Sequence, residues 1–184
     1  MTPDEIITLL NLEPHPSEGG YFRRTYESDL SCTTENGRRM LLTSIYYMLT
    51  KDSSVGCLCR NKSDILHYHH LGATIKYTIV SPDGVLSEKI LGPHLNNGET
   101  LQLLVPSGWW KASRLCIGEI DYGLISEAVA PGFEYADNEI ATEGLVQQLF
   151  PNIKTQLDSG FNTCELCSDS GWIDMLSERV LAGN

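Results

Sequence analysis

The alternation of apolar and polar positions changes character twice along the chain. The first stretch is helical: Ile6, Ile7, Leu9 and Leu10 recur at helical spacing. Thr2 fits the N-cap, Pro3 the first helical position, and Glu5 completes a Thr-x-x-Glu capping box. Pro14 and Pro16 are expected to end that helix. From about residue 20 to 130 the pattern is one of short strands and turns. Leu41 to Leu49 is mostly apolar and rich in Ile and Tyr. Thr74 to Val80 alternates, with Ile75, Tyr77 and Ile79 on one face. Ser81-Pro82-Asp83-Gly84 predicts a turn, and Val85 to Leu91 a returning strand. Asn96-Asn97-Gly98 predicts a second turn. Leu101 to Val105, Trp110 to Cys116 and Tyr122 to Val129 complete the run. Many short strands with Gly, Pro and Asn turns predict an antiparallel sandwich or barrel.

After Pro131 helical spacing returns. Thr142 is placed to cap a short helix carrying Leu145, Val146, Leu149 and Phe150, closed by Pro151. Residues 152–169 read as a polar linker, followed by an amphipathic segment with Trp172, Ile173, Leu176 and Val180 on one side. The reading divides the chain into a barrel domain over residues 1–150 and a partly helical extension over 151–184.

Composition narrows the partners. The 184 residues carry 13 Lys+Arg against 24 Asp+Glu, a net charge of −11. Such a chain repels phosphate backbones and anionic membrane surfaces, so neither nucleic acid nor membrane is an expected partner. A small anion needs only a local cationic pocket and is not excluded. The acidic start lacks the basic flank of a secretory signal, and no apolar run approaches bilayer length, which predicts a cytoplasmic protein. The six cysteines then read as reduced thiols, with Cys164 and Cys167 forming a lone C-x-x-C that lacks a second pair for a zinc site.

Four ordered blocks carry a family resemblance. His15-Pro16-Ser17-Glu18-Gly19-Gly20-Tyr21-Phe22-Arg23-Arg24-Thr25-Tyr26 resembles the H-P-x-E-G-G-Y-F-R-x-T-Y block of a small cupin family, often called cupin 5. Arg60 to Asp64 resembles its R-x-x-S-D block, Pro106 to Trp110 its P-x-G-x-W block, and Ala128 to Asp137 its V-A-P-G-F-x-F-x-D block. The resemblance runs from about residue 3 to 150. It implies a mainly β cupin fold, the double-stranded β-helix or jelly-roll barrel shared with sugar-nucleotide epimerases, with short flanking helices. It also implies a homodimer that exchanges strands or arms.

A metal-binding cupin presents His-x-His, a Glu and a later His inside the barrel. By the resemblance those positions fall on Cys57, Cys59, Ile65 and Lys111, so all four usual ligands are replaced. An amine at Lys111 opposes a nearby metal cation. No cofactor is therefore expected. The alternative is a nonstandard metal site of Cys57, Cys59, His67 and His69, which strand alternation places on one face. A single bulge would exchange His69 for His70.

The metal-free reading makes the barrel a pocket for a small polar or anionic metabolite. His67 and His69 are candidate general bases. Cys57 and Cys59 line the pocket, Lys111 and Arg60 are candidate anion contacts, and Trp109 or Trp110 offers a stacking wall. Gln102 faces either the cavity or a neighbouring backbone group. Metal-free epimerases of this barrel pair a His base with a Tyr acid, and Tyr47, Tyr68 and Tyr77 are the candidates for the acid. The base also needs an orienting carboxylate, which the sequence leaves unidentified. Glu18-Gly19-Gly20-Tyr21 is expected to shape the backbone, not to contact ligand. Three functions stay open: a small-molecule binder that isomerises or epimerises a sugar or metabolite, a metal-dependent cupin enzyme such as an oxygenase, and a non-catalytic interaction module.

Overall fold

A computed structural model describes residues 1–142 together with 145, 148, 149 and 151. The N-terminal helix, α1, spans Pro3–Leu10. Both halves of the capping box form: Glu5 N donates to Thr2 Oγ1 at 3.2 Å, and Thr2 N donates to Glu5 Oε2 at 2.8 Å. The helix stops before either proline. Asn11 adopts left-handed φ 50° and its N–H returns to Ile7 and Thr8 carbonyls, which caps the last turn. Ile6 is buried, whereas Leu9 points to solvent.

The strands follow as β1 (Glu13–Pro14), β2 (Tyr21–Glu27), β3 (Ser31–Thr34), β4 (Gly37–Met40), β5 (Thr43–Thr50), β6 (Val55–Asn61), β7 (Asp64–Gly72), β8 (Ile75–Val80), β9 (Leu86–Leu91), β10 (Gln102–Val105), β11 (Trp110–Leu115), β12 (Tyr122–Ala130) and β13 (Asn138–Ile140). One sheet is ordered β1-β2-β5-β12-β7-β10 and the other β13-β6-β11-β8-β9. β3 and β4 form a separate hairpin. Every named pairing is antiparallel. This is the antiparallel two-sheet arrangement the strand pattern predicted, and the jelly roll the resemblance implied.

Between the sheets lies a core of Tyr47, Leu49, Ile75, Tyr77, Ile79, Leu103 and Ile125. The alternation read from Ile75, Tyr77 and Ile79 therefore points inward as expected. β8 is buried along its whole length, so its other face is covered too. α1 packs Ile6 with Met48 and Leu124 on the outer face of the six-stranded sheet. Leu58, Val80, Trp110 and Ala112 make a further cluster on the outer face of the five-stranded sheet. Leu145 packs against that cluster, and its N–H bonds Thr142 Oγ1 at 3.2 Å, the expected cap. Val146, Phe150, the segment from 152 onward and Cys164/Cys167 lie outside the described residues. Among the described residues no helix is long and apolar enough to cross a membrane, and Cys32, Cys57, Cys59 and Cys116 form no disulfide.

The expected turns form. Gly84 N donates to Ser81 O at 2.9 Å, with Gly84 at φ 80°. Gly98, also at φ 80°, closes the second turn. Gly20 combines φ 70° with close packing: a Cβ there would lie 2.7 Å from the Met48 carbonyl oxygen. At Gly84 nothing lies within 4 Å of the added carbon. Gly84→Ala is therefore expected to cost about 1–2 kcal/mol, the penalty of left-handed backbone alone. Gly20→Ala adds a backbone collision and is expected to cost roughly 3 kcal/mol or more. Urea unfolding of the two variants checks the contrast; equal costs would contradict it.

Candidate functional site

Strand register assembles a charged cluster at the centre of the barrel. Lys111 on β11 stands opposite Cys59 on β6, and Glu127 on β12 stands opposite His67 on β7. The two sheets turn these pairs toward one another. Lys111 Nζ lies 3.4 Å from Glu127 Oε1 and 3.7 Å from Glu18 Oε2. Glu18 arrives from the turn before β2, where Asn138 Nδ2 donates to its Oε1 at 2.8 Å and the Cys59 thiol donates to its Oε2 at 3.5 Å. His67 Nε2 is 3.2 Å from Glu127 Oε1, and its ring meets Tyr77 edge-on at 4.9 Å. His67 Nδ1 has no hydrogen-bond partner among the described residues.

All of these groups except the half-buried Asn138 are buried. Burial alone would raise the Glu127 pKa, but the Lys111 ammonium, with His67 hydrogen-bonded beside it, holds it below the ordinary carboxylate value. Burial likewise opposes the charge on Lys111, and Glu127, Cys59 and Glu18 overcome it, so the ammonium is held well above its ordinary range. Burial, and then Glu18, push the Cys59 thiol up, which keeps it protonated. Burial does the same for the Tyr47 and Tyr77 hydroxyls.

A cleft of about 480 Å³, its open mouth included, reaches this cluster from one side. Glu18, Glu127, Arg24 and Thr43 are its polar residues, and Phe22, Tyr47, Phe133 and Tyr135 carry its aromatic rings. His15 lines it as well. Its Nδ1 accepts from Glu18 N at 2.9 Å and from Ser17 N at 3.3 Å, so the proton of the neutral ring sits on Nε2. Tyr47 donates its hydroxyl to Gly19 O at 2.9 Å, beneath the same turn.

The residues singled out from sequence separate into two groups. His67, Cys59 and Lys111 come together as described. Trp109 packs against the inner core but is not part of the cleft wall. Trp110 lies on the outer face instead, because β11 alternates and Lys111 takes the inward position. Arg60 shares that outer face: it sits 4.8 Å over the Trp110 ring and pairs with Glu139 at 2.7 Å. Gln102 is exposed, since Leu103 and Val105 are the inward residues of β10. Cys57 is displaced by a bulge. Ser113 pairs with Gly56 and Lys111 with Cys59, so Cys57 and Leu58 together oppose Ala112.

His69 keeps the expected register opposite inward Ile125, while a bulge sends His70 outward to Ser126 Oγ at 2.8 Å. Yet His69 serves the far end of the barrel. Its Nε2 meets Ala73 O at 3.2 Å and its titratable neighbours are Glu99, His70 and His94. The nonstandard ligand set of Cys57, Cys59, His67 and His69 is thus not assembled, and among the described residues no group of three or more His, Cys, Asp or Glu is arranged to hold a metal. Nor does the cupin metal position itself fit a cation. An ammonium already stands there between two carboxylates.

Glu127, Glu18 and His15 were missed as site residues. Glu127 left a signal: it is the one charged residue between Tyr122 and Ala130 in an apolar strand, at the inward parity of Ile125 and Val129. It is also the carboxylate beside a histidine that the sequence left unidentified. His15 and Glu18 stood in the first family block but looked like backbone residues.

The pairing has a pH signature. Glu127 contributes stability that is fully present above its ordinary pKa of 4.5 and is lost as pH falls below it. Lys111→Met leaves buried carboxylates without their cation, an expected loss of about 3–5 kcal/mol near neutral pH. Burial then raises Glu127, so the variant's deficit should shrink as pH falls toward about 5. Urea unfolding at both pH values reads this; a small or pH-independent deficit would contradict it.

Comparison with known proteins agrees with the fold. An uncharacterized protein of Saccharomyces cerevisiae is 40% identical over 134 residues, which cover 66% of this chain and 66% of that one. The solved structure of a hypothetical protein from Leishmania major superposes with TM-score 0.77 at 32% identity, covering 83% of this chain and 94% of that one. Protein SO0799 from Shewanella oneidensis gives TM-score 0.76 at 30% identity, covering 86% and 96%. A Bacillus subtilis oxalate decarboxylase with Mn(II) centers is similar at TM-score 0.50 and 16% identity, over 83% of this chain and 35% of that one, a likeness of fold alone. The family model described as the cupin superfamily (DUF985) matches residues 4–141. That match spans the whole barrel, and the chain belongs to this cupin family.

Proposed function

We propose that the barrel binds a small, neutral, hydroxyl-rich molecule with an apolar face, such as a pyranose or cyclic polyol, without a metal. The observation that carries this reading is the composition of the cleft wall: the carboxylates of Glu18 and Glu127 together with the rings of Phe22, Tyr47, Phe133 and Tyr135. Glu127, held ionised by Lys111, accepts hydrogen bonds and donates none. Ligand hydroxyls supply the matching donors, and the rings cover the ligand's apolar face. Lys111 is a poor anion contact because Glu18 and Glu127 already neutralise it. Arg24 also lines the cleft, but it is paired with Glu27, which leaves an anionic guest facing the carboxylates of Glu18 and Glu127.

Isomerisation of that guest is the finer alternative. The His67–Glu127 pair and Tyr77 speak for it. However, His67 is 0% exposed and is not part of the cleft wall. A carboxylate stabilised by an ammonium is also a weak base. The geometry therefore favours recognition over proton abstraction. The homodimer stays part of the proposal, supported by the half-buried outer face that carries Tyr46, Leu66 and Tyr68.

A thermal-shift panel tests the reading. Neutral monosaccharides and inositols at about 10 mM should raise the melting temperature, and their phosphate or carboxylate derivatives should not. Phe22→Ala and Glu127→Gln should each remove the shift. Stabilisation by the anionic derivatives alone would overturn the proposal.

A further inference from the structure

The turn that brings Glu18 into the barrel is held from two sides. On its C-terminal side the ties are permanent: Cys57 N donates to Glu18 O at 2.8 Å, Tyr47 Oη to Gly19 O at 2.9 Å, and Gly20 N to Ser53 Oγ at 2.8 Å. On its N-terminal side the amides of Ser17 and Glu18 converge on His15 Nδ1. Only an unprotonated nitrogen can accept them. Protonation converts the same atom into a donor facing two N–H groups, and both amides lose their partner. Gly19 at φ 86° and Gly20 at φ 70° follow directly and carry two of the fixed ties, and the Gly20 carbonyl also accepts from His15 N at 2.9 Å, so the two side-chain-held amides are the part of the turn that His15 titration addresses.

We propose that His15 is a positioning residue: its neutral imidazole latches the Ser17–Glu18 turn, and protonation releases that turn and opens this wall of the cleft. Movement of the turn draws Glu18 off Lys111 and Cys59. The groups that face the imidazole are Glu18 in its own turn, Glu127 on β12 and Lys111 on β11, with the rings of Phe22 and Tyr47 packed beside it. Burial outweighs the pull of the two carboxylates and lowers the His15 pKa below 6.5. The latch is thus closed at neutral pH and opens on mild acidification. Sign and stability agree: the unfolded chain takes up the proton first, so this contribution falls as pH drops through 6.5. The consequence for ligand rests on the binding reading above. The latch itself does not, and it can be read without any ligand.

Cys59 is the reporter, being 1% exposed with its thiol on the Glu18 carboxylate. Peptide-resolved labelling with N-ethylmaleimide at fixed pH should be about tenfold faster at Cys59 in His15→Phe than in the wild type. His15→Asn, whose side-chain oxygen can accept the same amides, should restore protection. In ¹⁵N spectra of the wild type, the Ser17 and Glu18 amides should titrate with the midpoint of the His15 ring, and this titration should vanish in His15→Asn. Equal Cys59 labelling in the Phe and Asn variants would overturn the latch. So would a His15 titration that leaves both amides unmoved.

Discussion

The ammonium of Lys111, buried between Glu18 and Glu127, is the constraint around which this barrel is organised. An uncompensated charge at that depth would be prohibitive. The chain therefore needs both carboxylates, and their supports as well: His67 beside Glu127, Asn138 and Cys59 on Glu18. These groups come from the facing sheets, from the turn before β2 and from the last strand, so the two layers and both ends of the domain meet at one point. Removing any one charged partner leaves a buried charge with only part of its compensation.

The same constraint explains the relation to metal-binding members of the fold. A cupin barrel can place a cation at its centre and surround it with acceptors. Here the cation is covalently part of the chain. It pairs with both carboxylates and holds Glu127 below the ordinary carboxylate value. The polar centre of this barrel is thus an ion-paired cluster built from the chain itself. Fold alone did not decide this; the side chains at four positions did.

Much of the fold was legible in the sequence because local signals agreed with it. The Thr2–Glu5 box, the Ser81–Gly84 turn and the alternation of Ile75, Tyr77 and Ile79 each act within a few residues, where pattern and structure are tightly linked. The site was legible only in part. Cys59 and Lys111 followed from the family resemblance and His67 from counting along its strand, and such counting holds until a bulge intervenes. It failed at Cys57, where two residues oppose Ala112, and it could not rank His69, which keeps the right face but serves the wrong end. Arg60 and Trp110 were adjacent to site residues in sequence, which in a strand means opposite faces. Glu18 reaches the centre through a glycine turn, a long-range placement that no periodicity encodes. Glu127 was the avoidable omission, a lone carboxylate at inward parity in an apolar strand.

The central claim is that Lys111 and Glu127 stabilise the barrel through each other. A double-mutant cycle of Lys111→Met and Glu127→Gln, read by urea unfolding near neutral pH, measures that directly. The account predicts strong coupling, with the double variant recovering about 2–3 kcal/mol relative to the sum of the single losses. Additivity to within about 0.5 kcal/mol would mean the two groups are neighbours without being partners, and would contradict it.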